Sequence, residues 1–225
     1  MKIVSNIFSL FLLLVLFTGC GKDNYDAPES KIIGKVTYQG QALNLRGTGE
    51  AIQLQLFQDG YDKHDPINVF VGQDGTFSAV LFNGEYKLVT KDGNGPWVNK
   101  RDTTLINLNG HAEVNIEVTP YFTISGEQLA VSGSTMTASF TIDRIVADAG
   151  INKVILILSK TQFADDVNNV FRKDITENLS VGAVSFSADI SGNEDVAKAK
   201  ALYARVGVLA NGADQAIYSS VVRIK

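Results

Sequence analysis

The sequence predicts an all-β protein built as two tandem β-sandwiches, and three observations carry that prediction. Apolar residues recur at every second position over most of the chain, the spacing of half-buried strands rather than of helices. Pairs of Asn or Asp with Gly separate those segments at short intervals, as tight turns require. Pro120 then interrupts the pattern about midway. A backbone without its N–H donor ends a strand run there and divides the chain into residues 31–119 and 120–225.

The first block opens with Ile32, Gly34, Val36 and Tyr38 on one face and Lys35 and Thr37 on the other. Ile52, Leu54 and Leu56 alternate with Gln53 and Gln55, and Ile67, Val69 and Val71 follow a polar loop. Gln73-Asp74-Gly75 and Asn83-Gly84 read as hairpin turns. Val114, Ile116 and Val118 alternate with Glu113, Asn115 and Glu117 as one last strand before Pro120.

In the second block Met136, Ala138, Phe140 and Ile142 face one way, and Thr135, Thr137, Ser139 and Thr141 the other. Val154 to Leu158 is continuously apolar, which fits a central strand covered on both faces. Val184, Phe186, Ala188 and Ile190 resume the alternation, and Ala204, Val206 and Val208 lead through Asn211-Gly212 to a last strand from Ala216 to Ile224. About seven short strands with turns between them indicate an immunoglobulin- or fibronectin-III-like sandwich. The single helical signal is 193–200, with Asn193 placed to cap, acids in the first turn and lysines in the last.

The amino terminus predicts location. Lys2 precedes an apolar run from Ile7 to Phe17, too short for the ~20 residues of a membrane span and of the kind found in secretory signals. Thr18-Gly19-Cys20 closes it and resembles the lipobox of bacterial lipoproteins. Residues 1–19 are then a signal peptide, Cys20 is the lipid attachment site, and 20–30 form a polar tether. At ~3.3–3.6 Å per residue that tether reaches roughly 35 Å from a bilayer. The expected location is the outer membrane, lipid-anchored, at the cell surface.

Cys20 is the only cysteine, so disulfides contribute nothing to the folded part. Twenty Lys and Arg against 24 Asp and Glu leave the chain mildly acidic. Without a basic stripe it is a poor match to nucleic acid, whose affinity rests on Lys and Arg contacts to phosphate.

Gly34-Lys-Val-Thr-Tyr-Gln-Gly-Gln-Ala-Leu43, Gln73-Asp-Gly-Thr-Phe77 and Asn83-Gly-Glu-Tyr-Lys-Leu88 resemble carboxypeptidase-regulatory-like domains, which have a transthyretin-like fold. Gly93-Asn-Gly-Pro-Trp-Val98, Asp102-Thr103 and Val118-Thr-Pro-Tyr-Phe122 extend the likeness to two-domain Bacteroidetes lipoproteins of unknown function. The resemblance implies a regulatory-like domain followed by an immunoglobulin-like one, in a starch-utilisation-type glycan-uptake locus. It also implies, as partners, a TonB-dependent transporter and its substrate-binding lipoprotein. Regulatory-like domains are non-catalytic, so no active site is implied.

The residues themselves point to binding rather than catalysis. His64 and His111 are the only histidines, and no Gly-x-Ser-x-Gly elbow accompanies them. Neither a metal site nor a cofactor is expected, since zinc needs three or four suitably spaced His, Cys or carboxylate ligands. His111 follows Asn109-Gly110 at an expected hairpin tip. The densest polar cluster is Asp59-Gly-Tyr-Asp-Lys-His-Asp65. Asp59, Asp62 and Asp65 suit hydroxyl recognition beside the Tyr61 ring, although a plain solvated loop also accounts for them. Trp97, the only tryptophan, either stands in a Gly- and Pro-rich loop as a sugar platform or packs near Tyr121 and Phe122 at the domain junction. The expected function is a non-catalytic glycan-binding or accessory module for a polysaccharide or oligosaccharide. The alternative is a structural subunit of a transporter complex with no ligand of its own.

Overall fold

Two antiparallel-rich sheets per domain, in two consecutive domains, follow from the alternation just described. The computed structural model describes residues 26–60 and 62–225. The signal segment, Cys20 and Tyr61 lie outside the described residues.

In the first domain β1 (Ser30–Tyr38) is central to one sheet. It pairs antiparallel with β2 (Gln41–Ala42) and β5 (Thr76–Leu81), and parallel with β8 (His111–Glu113) and β9 (Ile116–Glu117). The facing sheet runs β4 (Ile67–Phe70), β3 (Gln53–Phe57), β6 (Gly84–Thr90), β7 (Thr104–Leu108), all antiparallel. Ile32, Val36, Leu54, Leu56, Leu88, Ile106 and Leu108 point between the sheets and are buried.

Two details of this domain differ from the sequence expectation, and in the second domain the expected strand from Ala216 to Ile224 is two short ones, 217–218 and 222–223. The turns at Asp74-Gly75 and Asn83-Gly84 are where the alternation places them, but neither joins two strands of one sheet. β4 and β6 belong to one sheet and β5 to the other, so the chain changes sheet at each turn. Turn residues announce a reversal; which sheet the next strand joins is settled by packing. Residues 113–118 also do not form one strand. The chain is interrupted at Val114 and Asn115, opposite Gly34, where a Cβ would stand 1.7 Å from the Val114 carbonyl oxygen. The interruption is tied down by Val114 N–H to the Ile33 carbonyl and Lys35 N–H to the Asn115 side chain.

The second domain packs β10 (Phe122–Ser132), β11 (Thr135–Arg144) and β14 (Gly182–Asp189) against β13 (Phe171–Ile175), β12 (Ile151–Ser159), β15 (Tyr203–Ala210), β16 (Ile217–Tyr218) and β17 (Val222–Arg223). On β11 the inward residues Met136, Ala138, Phe140 and Ile142 are buried, while Thr135, Thr137 and Ser139 are exposed. The helical signal yields one short turn, α1 (Glu194–Ala197), capped by Asn193, whose side-chain oxygen accepts from the Val196 N–H at 3.0 Å. Among the described residues no helix is long and apolar enough to cross a membrane.

The continuous run on β12 has a specific cause. Val154, Leu156 and Leu158 face the sandwich core. Ile155 and Ile157 face the other way and are buried with Ala164, Ala216 and Tyr218. Beside them on β15, Arg205 is fully buried and donates to the carbonyls of Ser219, Ala164 and Gln73 at 2.9, 3.0 and 3.3 Å. Its guanidinium lies 4.6 Å from the centre of the Tyr218 ring. Gln73 belongs to the first domain, so this face is the interdomain joint. Tyr203, placed like the corner tyrosine of sandwich folds, is only half-buried; Arg205 is the buried polar anchor of that strand.

Further bonds fasten the joint. Thr48 N–H donates to Asp165 at 3.0 Å, Tyr218 N–H to the Asn44 carbonyl at 3.0 Å, and the Gln73 amide to the Gln162 carbonyl at 3.0 Å. Buried apolar residues of both domains form one continuous cluster, from Ile32 to Ile217.

Candidate functional site

The outer face of the β4-β3-β6-β7 sheet carries a recess. Strand alternation directs Glu85 and Lys87 on β6 and Leu105 and Asn107 on β7 to solvent, while Tyr86 and Ile106 turn into the core. Register places Phe57, Lys87 and Leu105 in one cross-strand row and Glu85 opposite Asn107. At the end of β3 the chain leaves the sheet through Gln58 and Asp59. The result is a cleft of about 460 Å³ lined by Gln58, Asp59, Glu85, Lys87, Leu105 and Asn107, with the β6 and β7 backbone as its floor.

Two features shape it. Gly84 leaves space for the Gln58 amide, since a Cβ there would come within 2.7 Å of its nitrogen. Lys87 Nζ donates to Asp59 Oδ2 at 2.5 Å, tying the start of the 58–66 loop to the sheet. The Glu85 carboxylate has no hydrogen bond or ion pair among the described residues, and Leu105 is 74% exposed. Chemically the cleft offers carboxylate and amide oxygens as acceptors, amide and ammonium N–H as donors, and one aliphatic contact. That set suits a molecule rich in hydroxyls.

The sequence-predicted residues divide. Asp59 lines the cleft. Asp62 and Asp65 are exposed in the 58–66 loop, and no three carboxylate, His or Cys groups converge as metal ligands among the described residues. Tyr61 lies outside the described residues, as does Cys20. Trp97 is buried, 1% exposed, so its ring is not presented to solvent. It lies over Gly95, where a Cβ would fall 2.2 Å from the indole, and it bridges to Pro120. Flanking bonds, Val98 N–H to the Thr119 carbonyl and Tyr121 N–H to the Pro96 carbonyl, clamp that loop to the domain junction. Of the two positions open to Trp97, the junction is the one it occupies, because the indole buries more apolar area there than a loop tip allows. His111 is exposed after Gly110, at the turn between β7 and β8.

Glu85, Lys87, Leu105 and Asn107 were not singled out by motif. Only Leu105 carries a local signal: in Leu105-Ile106-Asn107-Leu108 strict alternation fails at Leu105, which shares the outward face with Asn107.

Comparison with known proteins follows the same architecture. Residues 30–119 match the N-terminal domain of the protein of unknown function DUF3823, and residues 122–223 match the DUF3823 C-terminal domain. The chain belongs to the DUF3823 family. A crystal structure of a DUF3823 family protein from Parabacteroides merdae is 72% identical, with a TM-score of 0.86 over 89% of this chain and 100% of that one. A DUF3823 family protein from Bacteroides ovatus is 32% identical, with a TM-score of 0.77 over 87% and 98% of the two chains. A protein from Bacteroides uniformis, described as a candidate carbohydrate binding protein, shares the fold with a TM-score of 0.74 at 16% identity, over 88% of this chain and all of that one. No curated protein matches the chain.

Proposed function

We propose that this DUF3823 protein is a non-catalytic glycan-binding module. In this reading it is held by a lipid on Cys20 at the outer-membrane surface, where it serves a polysaccharide-uptake system beside a TonB-dependent transporter and its substrate-binding lipoprotein. The observation that carries binding is the cleft itself: an open recess on a rigid sheet, with amides and carboxylates around one exposed leucine. Sugar hydroxyls both donate and accept, so a mixed lining satisfies them in a way that an apolar pocket does not. The Bacteroides uniformis protein described as a candidate carbohydrate binding protein has the same fold, which supports the reading. A hydrolase needs two carboxyl groups flanking the scissile bond. Here Asp59 is engaged by Lys87, which favours holding a chain over cutting it.

The test is isothermal titration and affinity electrophoresis of the mature protein across a panel of polysaccharides. Binding is expected, weakened about tenfold or more by Leu105→Ala or Asn107→Ala. Silence across the panel removes the proposal.

The second reading, a structural subunit of the transporter complex, is favoured by a different observation. The 160–170 loop is held by Arg205 below and by Asp165, which accepts from Val167 and Asn168, and it displays Phe163 and Val167 with more than half their surface exposed. Co-purification of the transporter that is lost in a Phe163→Ser variant, without glycan affinity, would favour this reading over binding.

A further inference from the structure

The charges of the cleft point to one class of glycan. Three residues of its lining are charged at neutral pH: Asp59, Glu85 and Lys87. Lys87 and Asp59 offset each other across 2.5 Å, so the positive charge of the lining is matched by one of its two carboxylates. Glu85 remains, exposed and unpaired among the described residues, opposite Asn107 on the neighbouring strand. The lining therefore presents one uncompensated negative charge beside a leucine and two amides. We propose that the cleft selects neutral, hydroxyl-rich glycans and rejects uronic-acid or sulfated ones, with Glu85 as the discriminating residue. This rests on the glycan-binding reading above and specifies its ligand.

The physical basis is asymmetric. A hydroxyl donating to the Glu85 carboxylate forms a charge-assisted bond, stronger than a bond between neutral groups. An acidic sugar placed there brings a second anion against an unpaired one, and the charge of Lys87 is already offset by Asp59. Juxtaposed like charges suppress wrong partners more effectively than they strengthen right ones. Glu85 is a surface residue of a strand whose inward neighbours Tyr86 and Leu88 hold the core, so changing it leaves the fold in place.

The experiment titrates the mature protein against a neutral β-glucan, a neutral xyloglucan and polygalacturonate at equal low ionic strength, in wild type, Glu85→Gln and Glu85→Lys. Wild type is expected to bind at least one neutral polymer about tenfold or more tightly than polygalacturonate. Glu85→Gln should narrow that ratio by weakening neutral binding several-fold, and Glu85→Lys should reverse the preference, in a salt-sensitive way. Tighter binding of wild type to polygalacturonate overturns the inference and leaves glycan binding standing. The same holds for neutral binding that neither Glu85 variant changes. No binding by wild type to any of the three, nor to the wider panel, overturns the glycan reading and this inference together. Thermal melts of both variants within a degree or two of wild type separate a lost contact from a lost fold.

Discussion

Arg205 shows how much one residue decides. A guanidinium without direct contact to a carboxylate is costly to bury, and here three backbone carbonyls and the Tyr218 ring take the place of water. Desolvation pushes it down from its ordinary value to about 10, so it stays charged at neutral pH, and desolvation pushes the Tyr218 phenol up. Replacing it by Lys keeps the charge but not the fork, leaving carbonyls unpaired. Arg205→Lys is expected to cost about 2–4 kcal/mol, read from urea denaturation.

Its neighbour Asp165 makes stability depend on acid. Burial alone would raise its carboxyl, but donors from Thr48, Asn168 and Val167 outweigh that and hold it below the usual carboxylate value. A carboxyl lowered in the folded state contributes its stability above its unfolded value of about 3.9 and loses it as pH falls through the folded value. Melting temperature should therefore drop steeply below about pH 4, and Asp165→Asn should melt lower at pH 7 with a shallower acid limb. An unchanged acid limb in the variant would sink that assignment.

At the scale of the element, Gly34 and the Trp97 loop are the informative cases. Gly34→Ala drives a methyl into the Val114 carbonyl, which must move for β8 and β9 to remain beside β1. The expected loss is about 2–3 kcal/mol, seen as an earlier urea midpoint at unchanged slope. Trp97 reports its own burial. Its fluorescence should be blue-shifted, resistant to iodide quenching and indifferent to any glycan in the cleft, which Trp97 does not line. Efficient quenching in the native state would place the indole in solvent and contradict the clamp between residues 96–98 and 119–121.

For the whole molecule, the shared apolar cluster and the Arg205–Asp165 joint couple the two domains energetically. Scanning calorimetry should show one cooperative transition with calorimetric and van't Hoff enthalpies in agreement. In Arg205→Ala the joint loses its central donor, and the single peak should split or broaden into two. Two resolved transitions in the wild type would mean that the joint does not couple the domains.

The tandem β-sandwiches, the turn positions and the inward faces of strands such as β11 are legible in the chain without its fold. Each depends on alternation, on the φ tolerance of Asn and Gly and on the missing donor of Pro, all of which are local properties. The sequence also supplied Asp59, one residue of the cleft, and the start of α1 through its Asn193 cap. Packing across the chain settles that Trp97 is buried, that the outward face of Val154–Leu158 is a domain joint, and that β5 and β6 lie in different sheets. It alone brought Glu85, Lys87, Leu105 and Asn107 to one recess. These residues belong to separate strands, and what they form depends on pairing register and on which faces meet, quantities set by packing across the chain rather than by any stretch of it.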